Sequence, residues 1–180
     1  MLTKIFLNLA NKLPKKNHPF NLDKNWILDL NYSVHEYETA SNLEKLFSAW
    51  FDFGQFSNKT VLDIGCGWGG KWVYFAEKYN CKIIWIDTEI NFINQAKDIA
   101  KEKNVDNLCD FRLWNALNLD IIDNSIDFIV LNDVIEHIPN TKIMFDEIYR
   151  VLKVGWKVFY NFAPYYEVFW HHLWDTLPIP

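Results

Sequence analysis

The sequence predicts a doubly wound α/β fold, with helices on both faces of a mostly parallel β-sheet. From Thr60 onward, short apolar segments rich in β-branched residues alternate with helical patterns, as in parallel strands joined by right-handed crossovers. The first segment ends in a cluster of glycines, residues 65–70, which allow a tight turn with positive φ. We therefore expect three layers, helix–sheet–helix.

This alternation gives five strands and three helices between residues 60 and 162. The expected strands cover residues 60–64, 82–86, 109–113, 125–131 and 156–162. The expected helices cover residues 71–79, 91–103 and 141–152, each with apolar residues at helical spacing.

Three regions are expected along the chain. Residues 1–58 form an N-terminal helical lead-in, because Ser41 and Glu44 resemble a capping box that starts a helix, which should end near Gly54. Residues 59–163 form the α/β core. Residues 164–180 are an aromatic, proline-rich tail without a further strand pattern, which we interpret as the start of a truncated C-terminal part.

Composition excludes several functional classes. Half of the 180 residues are hydrophobic and the formal net charge is −5, which excludes a mainly disordered chain and a strongly basic protein that coats nucleic acid. No segment reaches the roughly 18 consecutive apolar residues of a membrane span, so no stable membrane insertion is expected. Cys66, Cys81 and Cys109 lack a paired spacing, which predicts a reducing, cytoplasmic location and no metal site.

The glycine cluster is the first candidate binding site. Gly65, Gly67 and Gly70 match the G-x-G-x-x-G spacing of dinucleotide-binding loops, and ligands of doubly wound sheets bind beyond the carboxyl ends of the strands. A carboxylate at Asp63 would repel a pyrophosphate, whereas it would attract the cationic amino group and sulfonium of S-adenosylmethionine. The alternative is that Asp63 only caps the turn.

A second acidic residue, Asp87, ends the second expected strand, 20 positions after Gly67. At this distance its carboxylate can accept hydrogen bonds from both hydroxyls of a ribose. Both cofactors contain ribose, so Asp87 does not distinguish them. The alternative is a helix N-cap that precedes Glu89.

Three motifs in order resemble the class I S-adenosylmethionine-dependent methyltransferases. They are the first glycine motif at 61–70, the fourth-strand motif at 126–138 and the helix leading into strand five at 147–153. The similarity covers about residues 32–164. It implies a Rossmann-like fold, in which the last two strands would be missing here. The implied activity is methyl transfer to an O, N or C atom of a small molecule.

The resemblance also implies roles for individual residues. Asp63, Gly65 and Gly67 would line the methionine end of S-adenosylmethionine, and Asp87 would hold its ribose. The other implied cofactor-binding residues are Cys66, Gly69, Thr88, Asn115 and Ala116, the last two beside the adenine, and Asn132 at the mouth of strand four. The candidate acid/base residues are His137, Tyr165 and His171, for which packing or surface roles are the alternative.

Several tryptophans stand where this family usually has glycine. Trp85, Trp114 and Trp156 are the clearest cases, and Trp72 and Trp170 are weaker ones. A non-glycine residue forced to positive φ would cost about 1–2 kcal/mol, and an overpacked ring about 1–3 kcal/mol. Our hypothesis is that some of these positions are UGA codons that encode glycine in the source organism. The alternative is a diverged family member that repacked around the rings; UGG codons at 85, 114 and 156 would contradict the hypothesis.

Two other functions stay open at this point. The glycine spacing favours an NAD(P)-dependent oxidoreductase, which Asp63 and the fourth-strand motif disfavour. A methyltransferase-like binding module without activity would result if Trp85 or Trp114 blocked the cofactor pocket. The sequence identifies neither the methyl acceptor nor the oligomeric state.

Overall fold

The computed structural model describes residues 30–49 and 51–161. The helices are α1 (Leu30–Phe47), α2 (Gly70–Tyr79), α3 (Ile90–Glu102) and α4 (Thr141–Val151). The strands are β1 (Thr60–Ile64), β2 (Lys82–Asp87), β3 (Cys109–Leu113), β4 (Ile126–Asn132) and β5 (Leu152–Asn161). Short 3₁₀ helices cover Phe53–Phe56, Asp106–Leu108 and Ile135–His137.

The five strands form one parallel sheet in the order β3-β2-β1-β4-β5. Sequential strands run outward from β1 in one direction and then, from β4, in the other. The strand order therefore reverses between β1 and β4, whose carboxyl ends are Ile64 and Asn132. The predicted doubly wound α/β class is confirmed, and the reversal identifies where a ligand should bind.

Each sheet face has its own apolar core. On one face, α1, α2, α3 and the 3₁₀ helix at Phe53–Phe56 pack over Val61, Trp85 and Phe128. On the other face, α4 and the loop around Leu119 pack over Leu62 and Ile129. Side chains along a strand alternate between the two faces of the sheet. Asp63, Asp87 and Asn132 therefore belong to the same face as Val61, Trp85 and Phe128, which α1–α3 cover.

Most predicted boundaries agree with the structure within one residue, but three differ. The expected helix end near Gly54 is wrong, since α1 ends at Phe47 and Gly54 lies in the 3₁₀ helix Phe53–Phe56. The expected helix start at Ser41 is wrong, since α1 begins at Leu30 and runs through Ser41 without interruption. Strand β5 begins at Leu152, four residues before the expected start. The pairing with β4 shifts between Ile126 and Phe128, and Gly155 adopts φ +84° in the extra residues. This bulge lets the strand continue through a segment that resembles a turn.

Asparagine occupies most of the left-handed turns outside the glycines. Asn58, Asn80, Asn104 and Asn124 have φ between +50° and +59°. Among non-β-branched residues asparagine tolerates this region comparatively well. In addition, the Asn80 side-chain amide donates to Asn58 Oδ1 at 2.9 Å, which joins the turns that precede β1 and β2.

The tryptophans at expected glycine positions do not carry the expected backbone strain. Among the described residues with positive φ, none is a tryptophan, so that part of the argument does not hold for Trp72, Trp85, Trp114 or Trp156. The part of the argument that concerns burial still applies to Trp85. Its side chain is fully buried, and within the described ranges its Nε1 lacks a hydrogen-bond partner. Trp170 lies outside the described residues.

Within the described ranges, no helix is long and apolar enough to cross a membrane. The tail at 164–180 and residues 1–29 of the lead-in lie outside these ranges.

Candidate functional site

The candidate site lies where β1, β2 and β4 end, around the glycine loop, residues 65–70, that connects β1 to α2. Gly65, Gly67 and Gly69 adopt φ values of +74°, +50° and +79°, as expected for a tight turn. A Cβ on Gly67 would meet nothing within 4 Å. The loop therefore leaves its backbone accessible to a ligand at Gly67.

The rest of the glycine loop is tightly enclosed. A Cβ on Gly65 would overlap with the side chain of Val134, which follows β4. A Cβ on Gly70 would overlap with the backbone carbonyl oxygen of Ser33 in α1. The segment after β4 and helix α1 thus approach the loop from two sides, and only glycine fits both contacts.

Asp63 lies next to this loop, in β1, and is 1% exposed. Within the described residues its Oδ2 is buried and has no hydrogen-bond partner. Burial raises the pKa of Asp63 well above its usual range, with a further increase from the charges of Asp87 and Glu36 and a decrease from Lys71. A buried carboxylate oxygen without a partner is costly, which favours a cationic or hydrogen-bond-donating ligand at this position.

Asp87 holds the glycine loop against the end of β2. Its Oδ2 accepts from the Gly67 backbone N–H at 3.0 Å, and its Oδ1 accepts from the Glu89 N–H at 2.9 Å. The residue is only partly buried, so it can accept further hydrogen bonds from a ligand. The N-cap of α3 is Glu89 rather than Asp87.

The other predicted cofactor-binding residues lie around the same edge. Cys66 is buried beside Asp87, with its Sγ 4.0 Å from Asp87 Oδ2, and Thr88 is exposed directly after β2. Asn115 is exposed, and its Oδ1 accepts from the Leu117 N–H at 2.9 Å. Ala116 next to it is buried. These contacts leave the exposed Asn115 amide NH₂ and the second lone pair of its oxygen for a ligand.

The turn after β4 completes the edge. Asn132 Nδ2 donates to Asp133 Oδ2 at 3.0 Å, and Asp133 itself has φ +53°. Burial, together with the charges of Glu36 and Asp133, raises the pKa of Tyr32. The Tyr32 ring of α1 lies 5.5 Å from the ring of Trp68, so this residue packs on the glycine loop.

Sequence reasoning missed the residues of α1 that contact the loop. Ser33 Oγ donates to the Trp68 carbonyl oxygen at 2.9 Å, and Glu36 Oε2 accepts from the Gly70 N–H at 3.2 Å. Both side chains are more than nine-tenths buried. The sequence does contain a signal for these residues, because the spacing of Ser33, Glu36 and Ala40 places them on one face of a helix. Polar residues at that spacing, however, predict a face that is exposed to solvent.

A family model described as a methyltransferase domain matches residues 55–161, more than half of the chain. The chain belongs to this methyltransferase-domain family. This match confirms the resemblance to methyltransferases that the sequence motifs indicated. It gives no support to the alternative of an NAD(P)-dependent oxidoreductase.

Curated relatives of this methyltransferase domain act on different acceptors. Phosphoethanolamine N-methyltransferase 2 of Caenorhabditis elegans is 36% identical over 107 residues, 59% of this chain and 24% of the relative. Sterol 24-C-methyltransferase of Saccharomyces cerevisiae is 33% identical over 95 residues, 53% of this chain and 25% of the relative. The chain thus spans about a quarter of the length of these relatives.

A solved structure supports the fold. Geranyl diphosphate C-methyltransferase of Streptomyces coelicolor A3(2), in complex with Mg²⁺, geranyl diphosphate and S-adenosyl-L-homocysteine, has a TM-score of 0.59 at 20% identity. The similarity covers 79% of this chain and 51% of that one.

Of the three candidate acid/base residues of the methyltransferase domain, one lies within the described residues. His137 is exposed at the end of the 3₁₀ helix Ile135–His137, and its backbone N–H donates to the Val134 carbonyl oxygen at 2.9 Å. It therefore follows the same turn that contacts the glycine loop. Tyr165 and His171 lie outside the described residues.

Neither tryptophan that could block the pocket reaches the open side of the glycine loop. Trp85 lies in the core, below Gly69 and 4.7 Å from the ring of Phe111. Trp114 packs against the apolar cluster of the opposite sheet face, and Arg112 lies 5.7 Å from its ring. The inactive-module alternative therefore gains no support from these two side chains.

Proposed function

We propose that the protein is an S-adenosylmethionine-dependent methyltransferase that transfers a methyl group to an O, N or C atom of a small molecule. The supporting observation is the buried Asp63 oxygen that lacks a partner in the described structure. The cationic amino group of S-adenosylmethionine would satisfy this oxygen, whereas the pyrophosphate of a dinucleotide would be repelled by it. The residues present therefore fit this cofactor.

Residues 59–163 would form the cofactor-binding core. Asp63 would bind the amino group, and the backbone at Gly65 and Gly67 would lie against the methionine part. Asp87 would accept hydrogen bonds from the ribose, while Asn115 and Ala116 would contact the adenine. The remaining contacts would come from Cys66, Gly69, Thr88 and Asn132.

When bound, S-adenosylmethionine supplies an electrophilic methyl group on a sulfonium that is already a good leaving group. The chain then has to align the acceptor in line with the carbon–sulfur bond and exclude water. The close approach of α1 and of the turn after β4 to the glycine loop serves the exclusion of water. A general base is needed only for acceptors that lose a proton. Among the candidates for this base, His137 is the one that lies within the described residues.

The proposed acceptor is a small molecule, and the proposed location is the cytoplasm. The relatives in Caenorhabditis elegans and Saccharomyces cerevisiae are named for phosphoethanolamine and sterol acceptors. The net charge of −5 disfavours a nucleic-acid acceptor. Cys66, Cys81 and Cys109 are free thiols, which is consistent with a reducing compartment.

Calorimetric titration with S-adenosylhomocysteine and with NAD tests the proposal. We expect binding of S-adenosylhomocysteine and no heat from NAD. Binding of NAD alone would instead support the oxidoreductase alternative. Binding of neither ligand by a chain whose thermal unfolding is cooperative would support the inactive module.

The affinity for S-adenosylhomocysteine should also depend on pH. Because the pKa of Asp63 is raised in the free protein, part of the population carries a neutral carboxyl below that pKa and binds the ammonium weakly. Affinity should rise with pH, by up to about tenfold per unit, and level off above the raised pKa. Glu36, Asp87, Lys71 and Cys66 are the charged or titratable neighbours. Titrations between about pH 5 and 7.5 should show this slope in the wild type and a flat profile in Asp63→Asn, if Asp63 is its source.

A further inference from the structure

Helix α1 contacts the glycine loop through a buried acidic residue that the family motifs do not include. Glu36 is 8% exposed, and its two carboxylate oxygens have different partners. Oε2 accepts from the Gly70 N–H at 3.2 Å, and Oε1 lies 3.4 Å from Lys71 Nζ. One carboxylate therefore holds both the first peptide N–H of α2 and the side chain that follows it.

Lys71 has a second acidic neighbour. Its charge lowers the pKa of Asp63, although the Asp63 oxygen Oδ2 makes no hydrogen bond within the described residues. Lys71 is the second residue of α2, directly after the glycine loop that follows Asp63, and it is paired with Glu36. If Glu36 lost its charge, the Lys71 ammonium would gain by turning to the unpartnered Asp63 oxygen, since a buried carboxylate is stabilised by a close cation.

We propose that Glu36 is a positioning residue for the methyl donor, because it keeps Lys71 away from Asp63 and so reserves the free Asp63 oxygen for the ammonium of the cofactor. This inference rests on the proposed function. Without Glu36, Lys71 would compete as an internal cation for the carboxylate that the ligand needs. Glu36 acts through Lys71 and does not itself have to touch the ligand.

Two variants separate this role from a purely structural one. In Glu36→Gln, the amide oxygen can still accept from the Gly70 N–H, but the negative charge that holds Lys71 is lost. We expect the affinity for S-adenosylhomocysteine to fall about tenfold. In the double variant Glu36→Gln with Lys71→Met, the competing cation is absent, and the affinity should recover to within about threefold of the wild type.

Helix α1 offers a matched control. Glu44 also pairs with a lysine of α2, with Lys78 Nζ 2.7 Å from Glu44 Oε2. The sequence separation is 34 both for Glu36 with Gly70 and for Glu44 with Lys78, so α1 and α2 run in the same direction and Glu44 lies near their far ends. Glu44→Gln should loosen the helix pair while leaving the affinity for S-adenosylhomocysteine unchanged.

The choice of ligand adds a second control. Methylthioadenosine has the adenosine part of the cofactor but no amino-acid ammonium, so its affinity should be equal in the wild type and in Glu36→Gln. Wild-type affinity of Glu36→Gln for S-adenosylhomocysteine would overturn the inference, as would failure of Lys71→Met to restore binding. If the wild type itself binds neither nucleoside, the proposed function fails instead.

Discussion

Replacing Asp63 by asparagine should weaken binding of S-adenosylhomocysteine and at the same time stabilise the free protein. The variant loses a charged acceptor for the ligand ammonium, so the dissociation constant should rise roughly 10- to 100-fold. The free protein loses a buried carboxylate without a hydrogen-bond partner on Oδ2, which should raise Tm by about 2–4 °C for about 1 kcal/mol. Calorimetric titration and thermal unfolding measure the two effects.

The stabilisation should depend on pH in a defined direction. Since the folded-state pKa of Asp63 is raised above that of the unfolded chain, the wild type becomes less stable as the pH rises from the usual carboxyl range toward the raised value. The gain in Asp63→Asn should therefore be small in acid and grow toward neutral pH. A constant gain at all pH values would contradict this assignment.

Asp127 supplies the control for Asp63. It is also buried, but at the opposite end of the sheet, and its oxygens accept from the Thr60 N–H at 2.9 Å and from Lys153 Nζ at 2.8 Å. Asp127→Asn should lower Tm and leave ligand affinity unchanged. If both variants behaved alike, the special role of the Asp63 oxygen would be disproved.

Replacing Gly65 by alanine should cost about 2–5 kcal/mol of unfolding free energy. Two effects add: a non-glycine residue at φ +74°, and overlap of the new Cβ with the Val134 side chain. Urea unfolding measures the sum. Gly67→Ala is the matched variant, because its φ is +50° but its Cβ would meet nothing within 4 Å; it should lose only about 1–2 kcal/mol.

A second substitution isolates the overlap. Val134→Ala removes the methyl carbon that would lie 2.3 Å from a Cβ at position 65 but keeps the Val134 Cβ at 2.9 Å. The double variant should therefore recover only part of the overlap energy, about 1–2 kcal/mol relative to the sum of the single variants. Additive losses in this double-mutant cycle would show that the turn after β4 does not press on the glycine loop.

The strands and the glycine loop were predictable because each follows a strong local pattern. The strands at 60–64 and 109–113 have the expected bounds. The first is mostly apolar and β-branched, and the second alternates apolar Cys109, Phe111 and Leu113 with charged Asp110 and Arg112. The positive φ of Gly65 and Gly67 also follows from the local sequence. Asp63 and Asp87 could be placed beside the loop because their distance from it is fixed by the strand ends; their role as site residues stays a prediction.

The contribution of α1 was not predictable in the same way. Ser33 and Glu36 are polar residues that become buried only because the glycine loop, more than 30 positions later, supplies their partners. A helix face with serine and glutamate reads as solvent-exposed when it is considered alone. The early start of β5 was missed for a related reason: its bulge at Gly155 depends on pairing with β4.

Because asparagine occupies most of the other left-handed turns, most glycines of this protein are found in one segment. Four of its six glycines lie at 65–70, while Asn58, Asn80, Asn104 and Asn124 serve most of the described left-handed positions elsewhere. An asparagine leaves the denatured chain fewer conformations than a glycine would, so each such turn costs less entropy to order. Glycine is thereby concentrated in the stretch of the fold where neighbouring atoms leave no room for a Cβ, at Gly65, Gly69 and Gly70.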